Sequence, residues 1–159
     1  DILVPNESEL ALLSNMPVTD IKSAENAAQE ILKLGVKIVI VTMGSRGALI
    51  VTADRAVQVN AFQVDVVDTT AAGDAFIAGF TSKLLETTLE SSGSPPKTEQ
   101  QAVRLQSAVR YGCACGALAT TKFGAQPSLP TKDEERSDDE AISSSNERLL
   151  RSLLSLAMT

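Results

Sequence analysis

Some segments of this chain are short apolar runs typical of strands, and others repeat apolar residues at helical spacing. The pattern predicts strands that alternate with helices. Ile2 to Pro5 is a short apolar run that predicts a buried strand, and a short helix is predicted to follow over Glu7 to Ser14. Lys37 to Thr42 is β-branched and apolar, as in a strand buried on both faces. Asp20 to Leu34 repeats apolar residues at helical spacing and stops at Gly35. Strand, helix and strand in this order predict a right-handed βαβ unit and a parallel sheet.

The remaining apolar segments predict a small β-hairpin followed by two long helices. Ala48 to Thr52 and the residues near Val57 to Val59 are short strand-like runs joined by an Asp-Arg turn. Gln100 to Thr120 is predicted as the last of the long helices. Before it, an extended, Val-rich run over Val64 to Val67 leads into a helix whose apolar residues are four apart, at Phe76, Phe80 and Leu84.

Composition narrows the classes of protein to which the chain can belong. Its 159 residues suit one domain, and 43% of them are hydrophobic, enough for a sizeable core. The net charge of −6 argues against nucleic acid as a partner, and no apolar run has the length that a membrane span needs. The sequence has no histidine, which removes Ser-His-Asp and Cys-His catalysis and histidine-based zinc sites.

Cysteine usage and the two ends of the chain add further expectations. Cys113 and Cys115 form a C-x-C pair in which only Cys113 is predicted on the apolar face of its helix; both are expected to be reduced, as in a cytoplasmic protein. The chain begins on strand-like residues rather than Met, so we expect it to be an excised piece. Glu90 to Glu99 predicts a solvated loop. Residues 133–146 predict an acidic, Ser-rich, flexible segment, and residues 147–159 a C-terminal helix.

One stretch, Asp68 to Phe76, carries the strongest prediction of chemistry. It places small residues between an extended run and a helix, where N–H groups without helical partners converge at the positive end of the helix dipole. A phosphate or a developing oxyanion suits such a site, and Asp74 beside it is suited to take a proton from an attacking hydroxyl. These features predict phosphoryl transfer to an alcohol. The alternative is structural, with Asp74 favouring the first turn of its helix and the small residues forming a tight connection.

Three further stretches have both a structural and a functional interpretation. Asn6 and Glu9 form a capping box, but they also lie at a strand end, where open α/β sheets bind ligands. Thr42, Gly44 and Ser45 lie at the end of the second strand, where they either contact a nucleotide phosphate or the glycines only serve the turn. The last long helix has a face of unusually small residues, which either packs closely on a neighbour or floors an adenine pocket: Leu105, Ala108, Val109, Gly112, Cys113, Gly116 and Ala117.

Four stretches, taken in order, resemble the C-terminal half of the ribokinase-like (PfkB-type) carbohydrate kinases. The resemblance covers residues 1–132, the predicted nucleotide-binding and catalytic half, and rests on Pro5 to Glu9, Val41 to Gly47, Asp68 to Gly79 and Gly124 to Pro130. The most specific element is Asp-Thr-x-Ala-Ala-Gly-Asp with a glycine five residues further on. Within the family, the Ala-Ala-Gly-Asp variant and the Gly-Ala-Gln-Pro-Ser run are most similar to ribokinases.

The resemblance implies an ATP-dependent kinase and assigns the residues of its transfer site. Asp74 corresponds to the base that deprotonates a primary hydroxyl of the sugar. An anion hole for the γ-phosphoryl group corresponds to the backbone N–H groups of Ala71, Ala72 and Gly73. Asn6 and Glu9 correspond to an Asn-x-x-Glu motif that holds Mg²⁺ largely through water, which suits an ion that keeps several waters.

Further positions correspond to the nucleotide and monovalent cation sites of the family. Nucleotide contacts are implied for Thr42, Gly44, Ser45, Gly47, Gly73, Cys113 and Ala117. A site for K⁺, formed mostly by backbone carbonyls, is implied at Asp68, Thr70, Ala119, Lys122, Gly124 and Ser128. Cys113 departs from the family pattern, since it stands near a position where some relatives carry a polar contact to adenine.

For the fold, the resemblance implies the C-terminal part of a Rossmann-like, three-layer α/β/α domain with a small hairpin, without the N-terminal half and its lid. For the function, it implies phosphorylation of ribose to ribose 5-phosphate, with a fructokinase-like enzyme, a nucleoside kinase or an inactive nucleotide-binding remnant as alternatives. The implied partners are a small-molecule sugar and ATP, and the complete enzyme is expected to be a homodimer. Because the family binds sugar mainly through its N-terminal half, this chain alone is expected to be inactive.

Overall fold

The structure, a computed structural model, describes residues 1–89, 98–124 and 128. The chain divides into two compact units, Asp1–Ala61 and Phe62–Thr159, and each is described by itself. None of the helices in the described part of the chain is long and apolar enough to cross a membrane.

The first unit contains a four-stranded sheet and two helices, as the α/β pattern predicts. Its elements are β1 (Ile2–Leu3), α1 (Glu7–Ser14), α2 (Ile21–Lys33), β2 (Ile38–Thr42), β3 (Ala48–Val51) and β4 (Ala56–Val59). The strands lie in the order β1-β2-β3-β4. β1 and β2 are parallel, whereas β2, β3 and β4 pair antiparallel. The predicted parallel pair and the following hairpin are therefore confirmed.

The first strand is shorter than predicted because Pro5 interrupts its ladder. Proline has no N–H to donate, but the Pro5 carbonyl accepts a hydrogen bond from the Thr42 N–H at 2.9 Å. Asn6 then forms an isolated parallel bridge with Thr42. The pairing with β2 thus reaches Asn6 and places this residue beside the end of β2.

The core of the first unit lies between its sheet and the inner face of α2. β2 is buried over its three central residues and β3 over its whole length, as expected for apolar, β-branched strands. Asp20 caps α2 by accepting a hydrogen bond from the Ser23 N–H at 2.7 Å. The helix predicted over Asp20 to Leu34 buries one apolar face, since the residues of α2 that are buried are Ala24, Ala27, Ala28 and Ile31.

The described part of the second unit contains a loop, two helices, α3 (Ala72–Leu89) and α4 (Thr98–Ala119), and the residues 120–124 and 128 that follow α4. The Val-rich run that precedes α3 forms no strand with any described residue. Val66 and Val67 are 61% and 55% exposed, and the Val67 N–H donates to the Thr120 carbonyl at 2.7 Å. β-branched composition favours a strand only where a neighbouring strand is available for pairing, and here the partner is a single carbonyl just beyond α4.

The face of α4 that carries small residues packs closely against α3, in agreement with the interpretation that these residues allow close packing on a neighbour. A Cβ atom added at Gly112 would lie 2.9 Å from the Phe76 carbonyl oxygen, and one at Gly116 would lie 3.1 Å from the Ala72 carbonyl oxygen. Backbone atoms of α3 therefore occupy the space that larger side chains on α4 would need.

The expectation that only Cys113 lies on the apolar face of α4 was wrong, because Cys115 is buried as well. Cys115 packs in a cluster with Ala75 and Ala119. The space for its sulfur comes from Gly79 on α3, where an added Cβ would lie 2.5 Å from Cys115 Sγ. Gly79 on the neighbouring helix thus leaves space for the Cys115 side chain, whose burial the helical periodicity of α4 alone did not predict.

Three predicted segments fall wholly or mostly outside the described residues. They are the loop before α4, apart from Thr98 and Glu99, the acidic segment over residues 133–146, and the helix over residues 147–159.

Candidate functional site

The carboxyl ends of β1 and β2 bring several predicted site residues together in the first unit. Asn6 is bridged to Thr42, and the Thr42 hydroxyl lies 3.5 Å from the Pro5 carbonyl oxygen. Gly44 and Ser45 follow after the buried Met43 and are exposed. The edge formed by the carboxyl ends of parallel strands is where open α/β sheets bind their ligands, so this edge is a candidate binding surface.

The Asn6 and Glu9 pair forms the capping box that the sequence predicts. Asn6 Oδ1 accepts a hydrogen bond from the Glu9 N–H at 2.9 Å, and Glu9 Oε2 accepts one from the Asn6 N–H at 2.8 Å. Both residues are exposed, and Glu9 Oε1 makes no hydrogen bond to a described residue. An exposed carboxylate oxygen beside an amide suits water-mediated contact with Mg²⁺, an ion that binds few carboxylates and retains water.

A tight turn follows β2 and carries the other candidates of the first unit. Gly44–Arg46 forms one turn of 3₁₀ helix, closed by a hydrogen bond of 3.0 Å from the Gly47 N–H to the Gly44 carbonyl. Gly47 is buried with φ of 88° and ψ of −130°, a conformation that glycine adopts without strain. Both interpretations of this segment stay open, since it is a turn and its first residues face solvent.

Arg46 is a residue of this turn that the sequence analysis did not single out. Its side chain forms an ion pair with Glu7, the first residue of α1, and donates a hydrogen bond to the Thr19 carbonyl at 3.2 Å. Its carbonyl accepts a hydrogen bond from the Gln58 side chain, also at 3.2 Å. No local pattern marks such a residue, because its partners are 39, 27 and 12 positions away.

In the second unit, the chain enters α3 through a residue with unusual backbone geometry. Ala71 has φ of 68°, in the left-handed region that side chains other than glycine rarely adopt. The Ala72 N–H donates to the Thr69 carbonyl at 3.2 Å, and the Ala75 N–H donates to the Ala71 carbonyl at 2.9 Å. The N–H groups of Gly73 and Asp74 donate no hydrogen bond to another described residue. Such strain is commonly found where a backbone binds a ligand. Here it lies beside two N–H groups that, as in the first turn of any helix, have no intrahelical partner.

The space beside Gly73 is open. Gly73 lies in helical conformation, and apart from its chain neighbours and the backbone of its own helix no described atom lies within 4 Å of the position that an added Cβ would occupy. Gly73 and Asp74 are both exposed. Neither backbone strain nor crowding by a described residue requires a glycine here, so the position leaves room for a ligand to approach the backbone.

Asp68 clamps the start of this loop to the segment that follows α4. Its Oδ1 accepts a hydrogen bond from the Thr70 N–H at 2.9 Å, and its Oδ2 accepts one from the Gly124 N–H at 3.0 Å. The Thr120 carbonyl accepts from both the Val67 and Asp68 N–H groups, at 2.7 and 3.1 Å. The structure therefore brings together three residues of the predicted cation site: Asp68, Thr70 and Gly124.

The remaining residues of the predicted cation site lie at and beyond the C-terminus of α4. Ala119 is the last residue of α4, and its carbonyl accepts no backbone hydrogen bond from a described residue outside the helix. Lys122 is exposed, and Ser128 is buried. The free carbonyls at a helix C-terminus carry partial negative charge, which suits a monovalent cation. The described residues contain no group of three or more Asp, Glu, Cys or His that could hold a metal ion by side chains alone.

The two candidates for adenine contact, Cys113 and Ala117, are one turn apart on α4. Cys113 is buried, and Ala117 is partly exposed. Burial raises the pKa of the Cys113 thiol to about 12, although the nearby Arg110 opposes this shift. Cys113 is therefore a neutral, apolar side chain, which fits packing against a flat surface better than polar recognition of a base.

The clamp at Asp68 gives a prediction for the pH dependence of stability. Hydrogen bonds from Thr70, and then from Gly124, lower the pKa of Asp68 below its ordinary value of 3.8. A carboxylate whose pKa is lowered by folding stabilises the fold above the unfolded-state pKa, and this contribution is lost as the pH falls through the folded-state pKa. We expect the difference in thermal midpoint between the parent and Asp68→Asn to shrink as the pH falls from about 6 towards about 3.

The control for this pH experiment is Asp54→Asn. Asp54 is exposed, and its carboxylate accepts no hydrogen bond from a described residue, so its replacement is expected to leave the thermal midpoint nearly unchanged at both ends of the range. A midpoint difference for Asp68→Asn that stays constant over the whole range would contradict the clamp.

Comparison with known proteins identifies the family to which this chain belongs. A family model described as pfkB family carbohydrate kinase matches residues 1–132. A ribokinase of Staphylococcus aureus (strain COL) is 35% identical over 134 residues, which cover 84% of this chain and 40% of the ribokinase. Fructokinase-2 of Solanum lycopersicum is also 35% identical, over 136 residues that cover 84% of this chain and 37% of the fructokinase.

The fold agrees with this result. The structure of Arabidopsis thaliana ribokinase complexed with ribose and ATP matches with a TM-score of 0.70 at 29% identity, over 97% of this chain and 40% of that one. The chain thus spans about 40% of the length of the curated relatives that it matches, and its α/β architecture is that of part of a ribokinase-type fold. This chain belongs to the pfkB family of carbohydrate kinases.

Proposed function

We propose that this chain supplies the ATP site, the anion hole and the catalytic base for phosphoryl transfer to a primary hydroxyl of a sugar. The observation that carries the proposal is the entry into α3, where left-handed Ala71 precedes the N–H groups of Gly73 and Asp74, which donate to no described residue. Preorganised donors of this kind stabilise negative charge as it develops on a transferring group. The resemblance assigns this anion hole to Ala71, Ala72 and Gly73; the Gly73 N–H donates to no described residue, whereas the Ala72 N–H donates to the Thr69 carbonyl.

Asp74 is the proposed base. It lies in the first turn of α3 and is exposed, so a bound hydroxyl has access to its carboxylate. A carboxylate near a phosphoryl group repels that group, and such an arrangement is useful only if the carboxylate accepts the proton of the attacking hydroxyl. Phosphoryl transfer has a loose transition state and demands mainly positioning and charge stabilisation, which is what this loop offers.

The nucleotide and its ions engage further residues in this proposal. Thr42, Gly44, Ser45 and Gly47 contact the nucleotide from the strand-end turn, and Cys113 and Ala117 pack near adenine. Asn6 and Glu9 hold Mg²⁺ through water, and that ion supplies neutralisation of phosphate charge. Around the Asp68 clamp, K⁺ is held by backbone carbonyls of the loop and of the α4 terminus, so that the loop stays ordered beside the anion hole.

Ribose is the proposed substrate, and a fructose-like sugar or a nucleoside is the second candidate. The Ala-Ala-Gly-Asp variant and the Gly-Ala-Gln-Pro-Ser run favour ribose. The same identity of 35% to a ribokinase and to a fructokinase leaves fructose as a candidate. ATP and a small sugar are thus the proposed partners, in the cytoplasm, with a homodimer proposed for the complete enzyme and a nucleotide-binding remnant as the non-catalytic alternative.

Gly73→Ala is a sharp test of the anion hole. An alanine fits the helical backbone and the open space at this position, so the free energy of unfolding is expected to stay unchanged or to rise by up to about 1 kcal/mol. Its methyl group would instead stand in the path of a phosphate. Weakening one or more charge-assisted hydrogen bonds, each worth about 1.5–3 kcal/mol, is expected to reduce the affinity for ATP by roughly tenfold or more.

The measurement is calorimetric titration of the chain with ATP in the presence of Mg²⁺ and K⁺, beside thermal unfolding of each variant. Asp74→Asn serves as the matched control, because it keeps the donors and is expected to bind ATP equally or slightly more tightly as repulsion falls. Equal affinity of the parent and Gly73→Ala would remove the anion hole from the proposal. Absence of ATP binding by the parent would refute the nucleotide site.

A further inference from the structure

Arg46 connects three segments of the first unit that are far apart in sequence. Its Nη2 pairs with Glu7 Oε1 at the start of α1, and its Nη1 donates to the Thr19 carbonyl at 3.2 Å, just before the residue that caps α2. Its own carbonyl is held by the Gln58 side chain of β4. One residue thus fixes the turn over Gly44–Arg46 against a helix start, a loop and a strand.

The two side-chain contacts depend on the shape of the guanidinium group. Different nitrogens of the same planar fork bind the carboxylate and the carbonyl, a geometry that lysine cannot reproduce with a single ammonium group. The pair is half-shielded, with 39% of the Arg46 side chain and 29% of the Glu7 side chain exposed. Asp20 lies near as well: hydrogen bonds with Ser23 mainly lower its pKa, and the charge of Arg46 lowers it further.

The contacts join two parts of the proposed site. Glu7 lies between Asn6 and Glu9, the proposed magnesium pair, whereas Arg46 lies between Gly44 and Gly47 in the proposed nucleotide turn. We infer that Arg46 is a positioning residue, which holds the nucleotide turn in register with the first turn of α1 so that ATP and its metal ion meet a preformed surface. This inference rests on the proposed function of both parts.

A direct contact between Arg46 and a phosphate is the competing role, and the geometry favours positioning. Both terminal nitrogens of Arg46 already have partners, and releasing them would leave Glu7 and the Thr19 carbonyl without their donor. Positioning and direct contact make opposite predictions for Glu7. If Arg46 positions the turn, loss of Glu7 weakens ATP binding; if Arg46 binds phosphate, loss of Glu7 frees the guanidinium and does not.

The experiment measures two quantities on the 159-residue chain, with variants Arg46→Gln, Glu7→Gln, the double variant and Arg46→Lys. The first is amide hydrogen exchange at Met43, Arg46 and Gly47, whose N–H groups close the turn. The second is the affinity for ATP with Mg²⁺ by calorimetry. We expect each single variant to accelerate exchange and weaken ATP binding by about tenfold, with little further loss in the double variant, as for residues that act as a unit.

Arg46→Lys is expected to retain only part of the parent's protection from amide exchange and only part of its affinity for ATP, because a positive charge without the planar guanidinium group is not sufficient. The control is Arg55→Gln, an exposed arginine in the β3–β4 turn, which is expected to change neither. Unchanged exchange in Arg46→Gln and Glu7→Gln overturns the inference, as does a loss of affinity in Arg46→Gln without one in Glu7→Gln. If the parent binds no ATP, the proposed function fails, and the exchange rates alone decide whether Arg46 positions the turn.

Discussion

Replacing Asp74 by Asn is expected to lower kcat for sugar phosphorylation by roughly 10²- to 10⁴-fold, the range that a positioned general base contributes. The amide is nearly isosteric with the carboxylate but accepts no proton from the attacking hydroxyl. Because the side chain is exposed at the first turn of α3, its loss is not expected to disturb packing. The KM for ATP is expected to change by less than about threefold, since the interaction lost is made only in the transition state.

The matching part of Staphylococcus aureus ribokinase, 40% of that enzyme, is replaced by this chain for the assay. The chimera of parental sequence sets the reference rate with ribose, and fructose and a nucleoside are assayed beside it to rank the candidate substrates. Asp65→Asn is the control, since Asp65 is also an exposed aspartate of the second unit. A kcat within about tenfold of the parent for Asp74→Asn would reject Asp74 as the base.

Local sequence signals were sufficient for most of the first unit. The capping box of Asn6 and Glu9 depends on residues three positions apart, and it forms with hydrogen bonds of 2.8 and 2.9 Å. The bounds predicted for α1 agree with those observed, and those for α2 differ by one residue at each end. Helix caps and helical periodicity depend on residues that are only a few positions apart in sequence, so these helices could be predicted without knowledge of distant contacts.

Features that depend on distant partners were not predictable in the same way. The Val-rich run before α3 has strand composition but bonds instead to the Thr120 carbonyl, and the burial of Cys115 depends on the absence of a side chain at Gly79. The ion pair of Arg46 with Glu7 spans 39 positions. In each case the deciding partner lies on another element, and the residue itself carries no local sign of it.

The candidate anion hole combines features that were predictable from the local sequence with one that was not. The small residues and the helix start after Asp68 were predictable from sequence, and so was Asp74 in the first turn. The strained position was not, because Ala71 rather than a glycine adopts the left-handed conformation. The hydrogen bonds from the Thr70 and Gly124 N–H groups to Asp68 show how the surrounding chain holds this loop in place.

Gly47→Ala is expected to have the largest effect on stability, a loss of more than about 4 kcal/mol in the free energy of unfolding of the first unit. Two costs add at this position. The backbone, at φ of 88° and ψ of −130°, is strained for any residue with a side chain. The added Cβ would also overlap the Val59 carbonyl oxygen and lie 2.6 Å from the Ala61 nitrogen. These are backbone atoms, so no side-chain rotation relieves the overlap.

Gly44→Ala separates the two costs, because it tests strain without crowding. Gly44 has φ of 54°, and apart from its chain neighbours no described atom lies within 4 Å of its added Cβ, so a loss of only about 1–2 kcal/mol is expected. Urea unfolding followed by circular dichroism measures both variants against the parent. A similar loss in the two variants would mean that the chain from Val59 to Ala61 moves aside at little cost in free energy. A much larger loss in Gly47→Ala would show that packing between this turn and β4 fixes the chain where the proposed nucleotide contacts begin.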